Sequence, residues 1–181
     1  MVTRGKFGAV KDLDPERAAE LYSRRSEYEI SVLESVHDDA IARYLAKEDD
    51  SNLLKSEAQA FVDMAALYEL DPAFALAVAQ HETGKGRSKA LREKNNAFGI
   101  QPQGEDGPIQ KFDTVADSIK QFCKMIRVNY VDKYDQATII DITDNPQNPE
   151  GHSYCGEHHD SVSRLDWIEG VTRYFNDIIG S

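Results

Sequence analysis

From Pro72 to Ala79 the chain runs PAFALAVA without a single polar side chain, between Asp71 on one side and Gln80-His81-Glu82 on the other. Alanine-rich sequence of this kind favours helix. A helix that is apolar all round has no face to offer water, so other elements must enclose it. Asp71 supplies a capping side chain, Pro72 fits the first helical position, and Gly84 and Gly86 mark the far end. At 181 residues the chain is long enough to build one well-buried domain around such a helix and short for two.

The flanking sequence supplies candidates for the enclosure. Asp14-Pro15-Glu16-Arg17 reads as a helix start. Ile30, Leu33, Val36, Ala40, Ile41, Tyr44 and Leu45 recur at three- and four-residue steps and predict an amphipathic helix, interrupted by the polar run Lys47 to Asn52. Phe61, Met64, Ala65, Tyr68 and Leu70 mark the buried side of another, which ends at Asp71-Pro72. A short helix is expected over Ser88 to Lys94. The glycine-, proline- and acid-rich stretch Gln101 to Lys111 predicts a small irregular or β-hairpin lobe. Thr114 with Asp117 forms a capping-box pattern ahead of Val115, Ile119, Phe122, Cys123 and Ile126. A loop is expected from Asp141 to Gly156, and Trp167, Ile168, Val171, Tyr174, Phe175 and Ile178 predict a closing helix. The fold class is therefore mainly α with one small non-helical lobe.

Charge removes some functions. The chain carries 21 Lys and Arg against 32 Asp and Glu, a net charge of −11, whereas a phosphate-tracking surface needs clustered cations. Nucleic acid is not an expected partner. No run approaches the roughly 20 apolar residues that span a bilayer, and the first residues lack the apolar core of a secretory signal. Cys123 and Cys155 are too few for a disulfide framework and read either as free thiols or as one bridge.

Glu82 stands where the buried helix ends. Desolvation and the negative end of the helix dipole would both favour its protonated form, as a general acid requires. From position alone it reads first as an ordinary helix-end carboxylate paired with Lys85 or Arg87. The surrounding pattern changes that reading. Ala77-Val-Ala-Gln-His-Glu-Thr-Gly84, Ser88-Lys89-Ala90-Leu91, Asn95-Asn96-Ala97-Phe98-Gly99-Ile100, Phe112-Asp113 and Ser118-Ile119 occur in an order that resembles glycoside hydrolase family 73. This family comprises glucosaminidases and flagellar or phage peptidoglycan hydrolases.

The resemblance implies a lysozyme-like, two-lobed helical fold that cuts β-1,4 bonds of peptidoglycan, with Glu82 as general acid and no cofactor or metal. It places Asn95, Asn96, Phe98, Gln101 and Tyr154 against the substrate. Glu105 and Asp106 are the acids available as a second carboxylate, although the substrate's own N-acetyl group could replace one. An endo-β-N-acetylglucosaminidase is the first expectation. A lytic transglycosylase, a muramidase, or a non-catalytic wall-binding module are the alternatives. Lys85 departs from the family, many members of which carry an aromatic residue there.

Residues 51–181 are expected to form the glycosidase domain, and residues 1–50 a helical extension packed on it, the two making one compact unit. The protein is expected to act on the bacterial wall. Lacking a classical signal, it would be phage virion-associated, holin-released or otherwise exported, as part of a phage particle or a larger wall-lytic assembly. His152, Cys155, His158 and His159 include zinc-ligand types, but a single short cluster reads first as surface polar residues. His81 points to a different face of the helix from Glu82 and is expected in the core or behind the acid, and Trp167 is expected to be core.

Overall fold

The computed structural model describes residues 23–33, 37–102, 107–143, 154 and 161–181, with side chains from residue 165 onward in the last segment. The helices are α1 (Arg25–Tyr28), α2 (Asp38–Lys47), α3 (Ala58–Leu67), α4 (Pro72–Glu82), α5 (Lys89–Lys94), α6 (Val115–Ile126), α7 (Ile139–Thr143) and α8 (Ser161–Ile179). A 3-10 turn precedes α3, and a π-helical segment, Arg127–Asp132, prolongs α6. The expected helix start at Asp14 lies outside the described residues.

The apolar run forms the central helix. Every residue of α4 from Pro72 to Gln80 is buried, and α2, α3, α6 and α8 pack around it. Its alanines are fully enclosed, and their short side chains let the neighbouring helices approach closely. Asp71 begins the helix: Oδ1 accepts from the Ala73 N–H at 2.8 Å, and Oδ2 lies 2.6 Å from His37 Nδ1. Such a cap contributes about 1 kcal/mol.

The amphipathic segments after α4 follow their sequence signals closely. Thr114 and Asp117 exchange both bonds of a capping box at the start of α6, and Ser88 Oγ caps α5 by accepting from the Leu91 N–H. Upstream of α4 the outcome differs. Ile30 and Leu33 do not belong to the helix predicted for them, because α2 begins only at Asp38. Residues 30–32 run extended between two other segments. Val32 N–H donates to Ala137 O, Ile139 N–H to Ile30 O, and Asp71 N–H to Val32 O. β-Branched Ile30 and Val32 favour extended backbone, and these bonds satisfy it.

The short helix α7 occupies the start of the expected 141–156 loop. Its three isoleucines and Thr143 are buried, and Thr138 Oγ1 accepts from the Asp141 N–H as an N-cap does. Burial outweighs the low helix propensity of β-branched residues here. In the π-helical segment, Arg127 Nε donates to Asp132 Oδ1 across five positions at 2.8 Å, and Tyr130 turns inward. Cys123 is a free, buried thiol whose pKa burial pushes up to about 12. Cys155 lies outside the described residues. Among those residues no helix is long and apolar enough to cross a membrane.

Candidate active site

Glu82 is the last residue of α4. Its residue surface is exposed, its contact with the indole is partly buried, and it stands at the negative end of the helix dipole. The side chain is held from across the molecule: Trp167 Nε1, on α8, donates to Glu82 Oε1 at 2.8 Å. The cations expected beside Glu82 are engaged with the polar run that follows α2. Lys85 Nζ lies 3.7 Å from Glu48, while Arg87 contacts Asp49 at 2.7 Å and donates to Ser51 Oγ.

This clamp shapes the turn after Glu82. Gly84, Lys85 and Gly86 all have positive φ. Gly86 is also the point of closest approach, because a Cβ there would lie 1.9 Å from Asn52 Oδ1. Buried Asn52 in turn donates to Glu48 and to Gln80 and accepts from the Leu54 N–H. The lysine that departs from the family thus has a local partner and contributes to holding the turn.

Around Trp167 the structure is aromatic. The indole is 5% exposed; the Tyr154 ring lies 5.1 Å from it and the His81 ring 6.3 Å, edge-on. His81 fits there because α8 carries glycine opposite it: a Cβ on Gly170 would meet His81 Nδ1 at 2.4 Å. Burial above all, and then the Arg173 charge, lower the His81 pKa against the opposing pull of Asp166. Tyr154 also meets Phe122 edge-on at 6.0 Å, and Phe122 stacks on Phe98 at 4.1 Å with rings 2° from parallel. A continuous aromatic path therefore connects the Asn-Asn-Ala-Phe segment to the group that grips Glu82.

The residues expected to touch substrate separate into different roles. Asn96 is fully buried. Its Nδ2 donates to Ile100 O and Gln110 O, and its Oδ1 accepts from the Phe98 and Ile100 N–H groups. Both amide hydrogens and both acceptor sites are taken, so Asn96 builds the turn and has no donor left for a sugar. Asn95, left-handed at the end of α5, donates to Phe112 O and Asp113 O. Phe98 is a core ring at 4% exposure. Gln101 Nε2 donates to Gly107 O, closing the base of the small segment. Tyr154 is half-buried with its ring 5.1 Å from the Trp167 indole that contacts Glu82. Glu105 and Asp106 lie outside the described residues, as do His152, Cys155, His158 and His159.

Trp167 is the core residue that periodicity predicts, and its N–H adds a contact that periodicity does not announce. It lies on the apolar stripe of α8, as a core residue would, yet its N–H ends on the candidate acid. The available signal was chemical: a buried indole N–H requires an acceptor, and the apolar stripe offered none.

A solvent-reached carboxyl group at the end of an enclosed helix, with an indole N–H on one of its oxygens, can deliver a proton to a bound oxygen. Residues 58–173 match the family model Glucosaminidase, described as mannosyl-glycoprotein endo-beta-N-acetylglucosaminidase. The chain belongs to this family and is a glycoside hydrolase of the endo-β-N-acetylglucosaminidase type, as the resemblance to family 73 implied. None of the curated proteins matches the sequence.

Solved structures share the fold. S. aureus autolysin E in complex with the muropeptide NAM-L-Ala-D-iGlu has a TM-score of 0.68 at 16% identity, covering 98% of this chain and 90% of that one. A catalytic mutant of the same autolysin with the disaccharide NAG-NAM has a TM-score of 0.62 at 16% identity, over 83% of this chain and 71% of that one. The major bifunctional autolysin has a TM-score of 0.60 at 24% identity, over 95% and 77%. The mainly helical, lysozyme-like fold expected from the sequence is the one these structures share.

Proposed function

We propose that this glucosaminidase cuts the β-1,4 bonds of bacterial peptidoglycan, with Glu82 as the general acid. The carrying observation is the fixed contact between Trp167 Nε1 and Glu82 Oε1, which holds an exposed carboxyl group in one orientation. The muropeptide and NAG-NAM complexes of the structurally similar autolysin E support peptidoglycan as the substrate class. Glu82 would protonate the glycosidic oxygen as the bond breaks, and water would complete hydrolysis at the anomeric carbon. Either a carboxylate from Glu105 or Asp106 or the substrate's own N-acetyl group would stabilise the positive charge that develops there. Tyr154, beside the indole, is the candidate substrate contact among the described residues.

The charge of −11 bears on delivery. Anionic wall polymers repel such a protein at long range, which favours carriage in a phage particle or larger lytic assembly over free diffusion. The decisive experiment is mass spectrometry of borohydride-reduced fragments released from purified peptidoglycan, with Glu82→Gln alongside. The expected product is a reduced N-acetylglucosamine end made by the unmodified protein and absent with Glu82→Gln. A reduced muramic end would assign a muramidase, and a 1,6-anhydromuramic end a transglycosylase. Glycan binding without fragments would assign a wall-binding module.

A further inference from the structure

The C-terminal ends of two helices meet at one cavity. α2 ends at Lys47 and α8 at Ile179, and residues from both ends line a hollow of about 400 Å³ together with Lys85 from the turn after α4. That volume lies within the range of small-ligand sites. Ser181, which also lines it, is pinned to α2: Arg43 Nε donates to Ser181 O, and Ser181 Oγ donates to Ala40 O. Glu82 is not one of the described residues that line the cavity.

Four charged side chains line the cavity, and they differ in how far they are already satisfied. Lys85 Nζ lies 3.7 Å from Glu48, whose side chain is 12% exposed and also accepts from Asn52 Nδ2 at 3.1 Å. Lys47 and Asp177 are exposed, and among the described residues neither has an ion-pair partner. Asp177 also runs against local preference. It stands in the last turn of α8, where the dipole favours cations, and that turn carries no base. Such a departure is where a function is to be sought. Burial above all, then the Glu48 charge and, more weakly, that of Asp177, raise the pKa of Tyr44 on the same lining.

This set of charges selects among ligands. Two lysines face two acids, so a polyanion meets Glu48 and Asp177 and a polycation meets Lys47 and Lys85. A neutral sugar finds no ring to stack on, because Tyr44, the aromatic residue of the lining, is 7% exposed. A molecule with one ammonium group and one carboxylate matches both unpaired charges.

We propose that this cavity binds a short zwitterionic peptide, with Lys47 holding its carboxylate and Asp177 its ammonium group. The negative ends of α2 and α8 add to the attraction for the ammonium group. The source of the peptide rests on the peptidoglycan reading above: it is the stem peptide, which when uncrosslinked can end in a diamino acid with a free amine and a free carboxylate. A site of this kind retains an acidic protein on a wall that repels it at long range.

Isothermal titration calorimetry tests this with N-acetyl-L-Ala-D-isoGln-L-Lys, which carries one ammonium group and one carboxylate, and with two blocked forms, its C-terminal amide and its Nε-acetyl derivative. Lys47→Gln and Asp177→Asn remove charge at exposed positions, and both should keep the melting temperature of the unmodified protein. Each blocked form, and each variant with the unblocked peptide, is expected to bind about fivefold more weakly. Amidation should weaken binding to Lys47→Gln no further, and Nε-acetylation should weaken binding to Asp177→Asn no further. Failure of the unblocked peptide to bind at millimolar concentration would overturn the site, as would equal binding of all three forms. Blocking losses that persist undiminished in the matching variants would overturn the assignment of Lys47 and Asp177. N-acetyl-Gly-Gly-L-Lys binding as tightly as the stem sequence would support the peptide site and remove the stem as its source. Peptide binding by a protein that releases no fragments from peptidoglycan would fail the peptidoglycan reading and leave the peptide site standing.

Discussion

Asn96 shows how a residue can matter to a site without touching substrate. Its four hydrogen bonds fold residues 96–100 back on themselves and join them to Gln110. Asn96→Ala leaves several of these backbone groups without partners in a buried turn, and we expect a loss of about 2–4 kcal/mol in urea unfolding. Asn96→Asp sets a carboxylate oxygen against the Ile100 and Gln110 carbonyls in a buried turn, so it should also be strongly destabilising. The motif was legible in the sequence. Its division of labour was not, because an asparagine that binds sugar and one that binds backbone are written with the same letter.

His81 gives a prediction with a definite sign. Its pKa is lowered, chiefly by burial, so below about pH 6.5 the unfolded chain binds more protons at this site than the folded one. The folded state therefore loses stability as pH falls from about 6.5 toward the lowered folded value. Urea midpoints at pH 7.5 and 5.5 should differ more for the unmodified protein than for His81→Gln. Equal differences would show that His81 titrates alike in both states.

Among the elements, α4 carries both a structural and a chemical end. Asp71 caps its start and is almost wholly enclosed, with His37 against it, while Glu82 lies at its finish. Burial raises the Asp71 pKa, and the His37 contact and the Ala73 N–H oppose that shift. Asp71→Ala removes the cap and the acceptor for His37, for an expected loss of about 2 kcal/mol. Asp71→Asn keeps an oxygen for the Ala73 N–H and should lose less. Some 16 Å of helix separates this end from Glu82, so thermal unfolding should register both variants while turnover well below the melting temperature changes little. The extended segment at residues 30–32 teaches the converse lesson. Its apolar spacing fitted a helix, yet its partners at residues 70–71 and 137–139 are remote in sequence, and no local periodicity announces them.

On the scale of the molecule, α2 supplies Ile41, Tyr44 and Leu45 to the same core as α4 and α8, and Tyr28 and Val32 join it from further upstream. Arg25 reaches Asp141 on α7, and Arg43 reaches the backbone of Ser181. We therefore propose that the described part of the first fifty residues, 23–33 and 37–50, folds as one unit with the remainder and contributes to its core. A chain beginning at residue 51 is expected to lose cooperative unfolding in calorimetry. A sharp transition near that of the full chain would show residues 51–181 to be autonomous.

What the sequence by itself determined was local or compositional: the enclosed alanine-rich helix, its Asp-Pro start, the capping box of α6, the mainly helical class, and an ordered set of motifs sufficient to indicate the family. These depend on neighbours within a turn or two, or on residue identity in order. Tertiary structure decided that Glu82 faces solvent, that Asn96 serves the backbone, and that Lys85 and Arg87 reach back to the run after α2. It also decided that the indole of Trp167 crosses from α8 to hold the acid on α4. Each of these outcomes depends on a partner far along the chain, because packing in three dimensions selects which buried donors and acceptors meet.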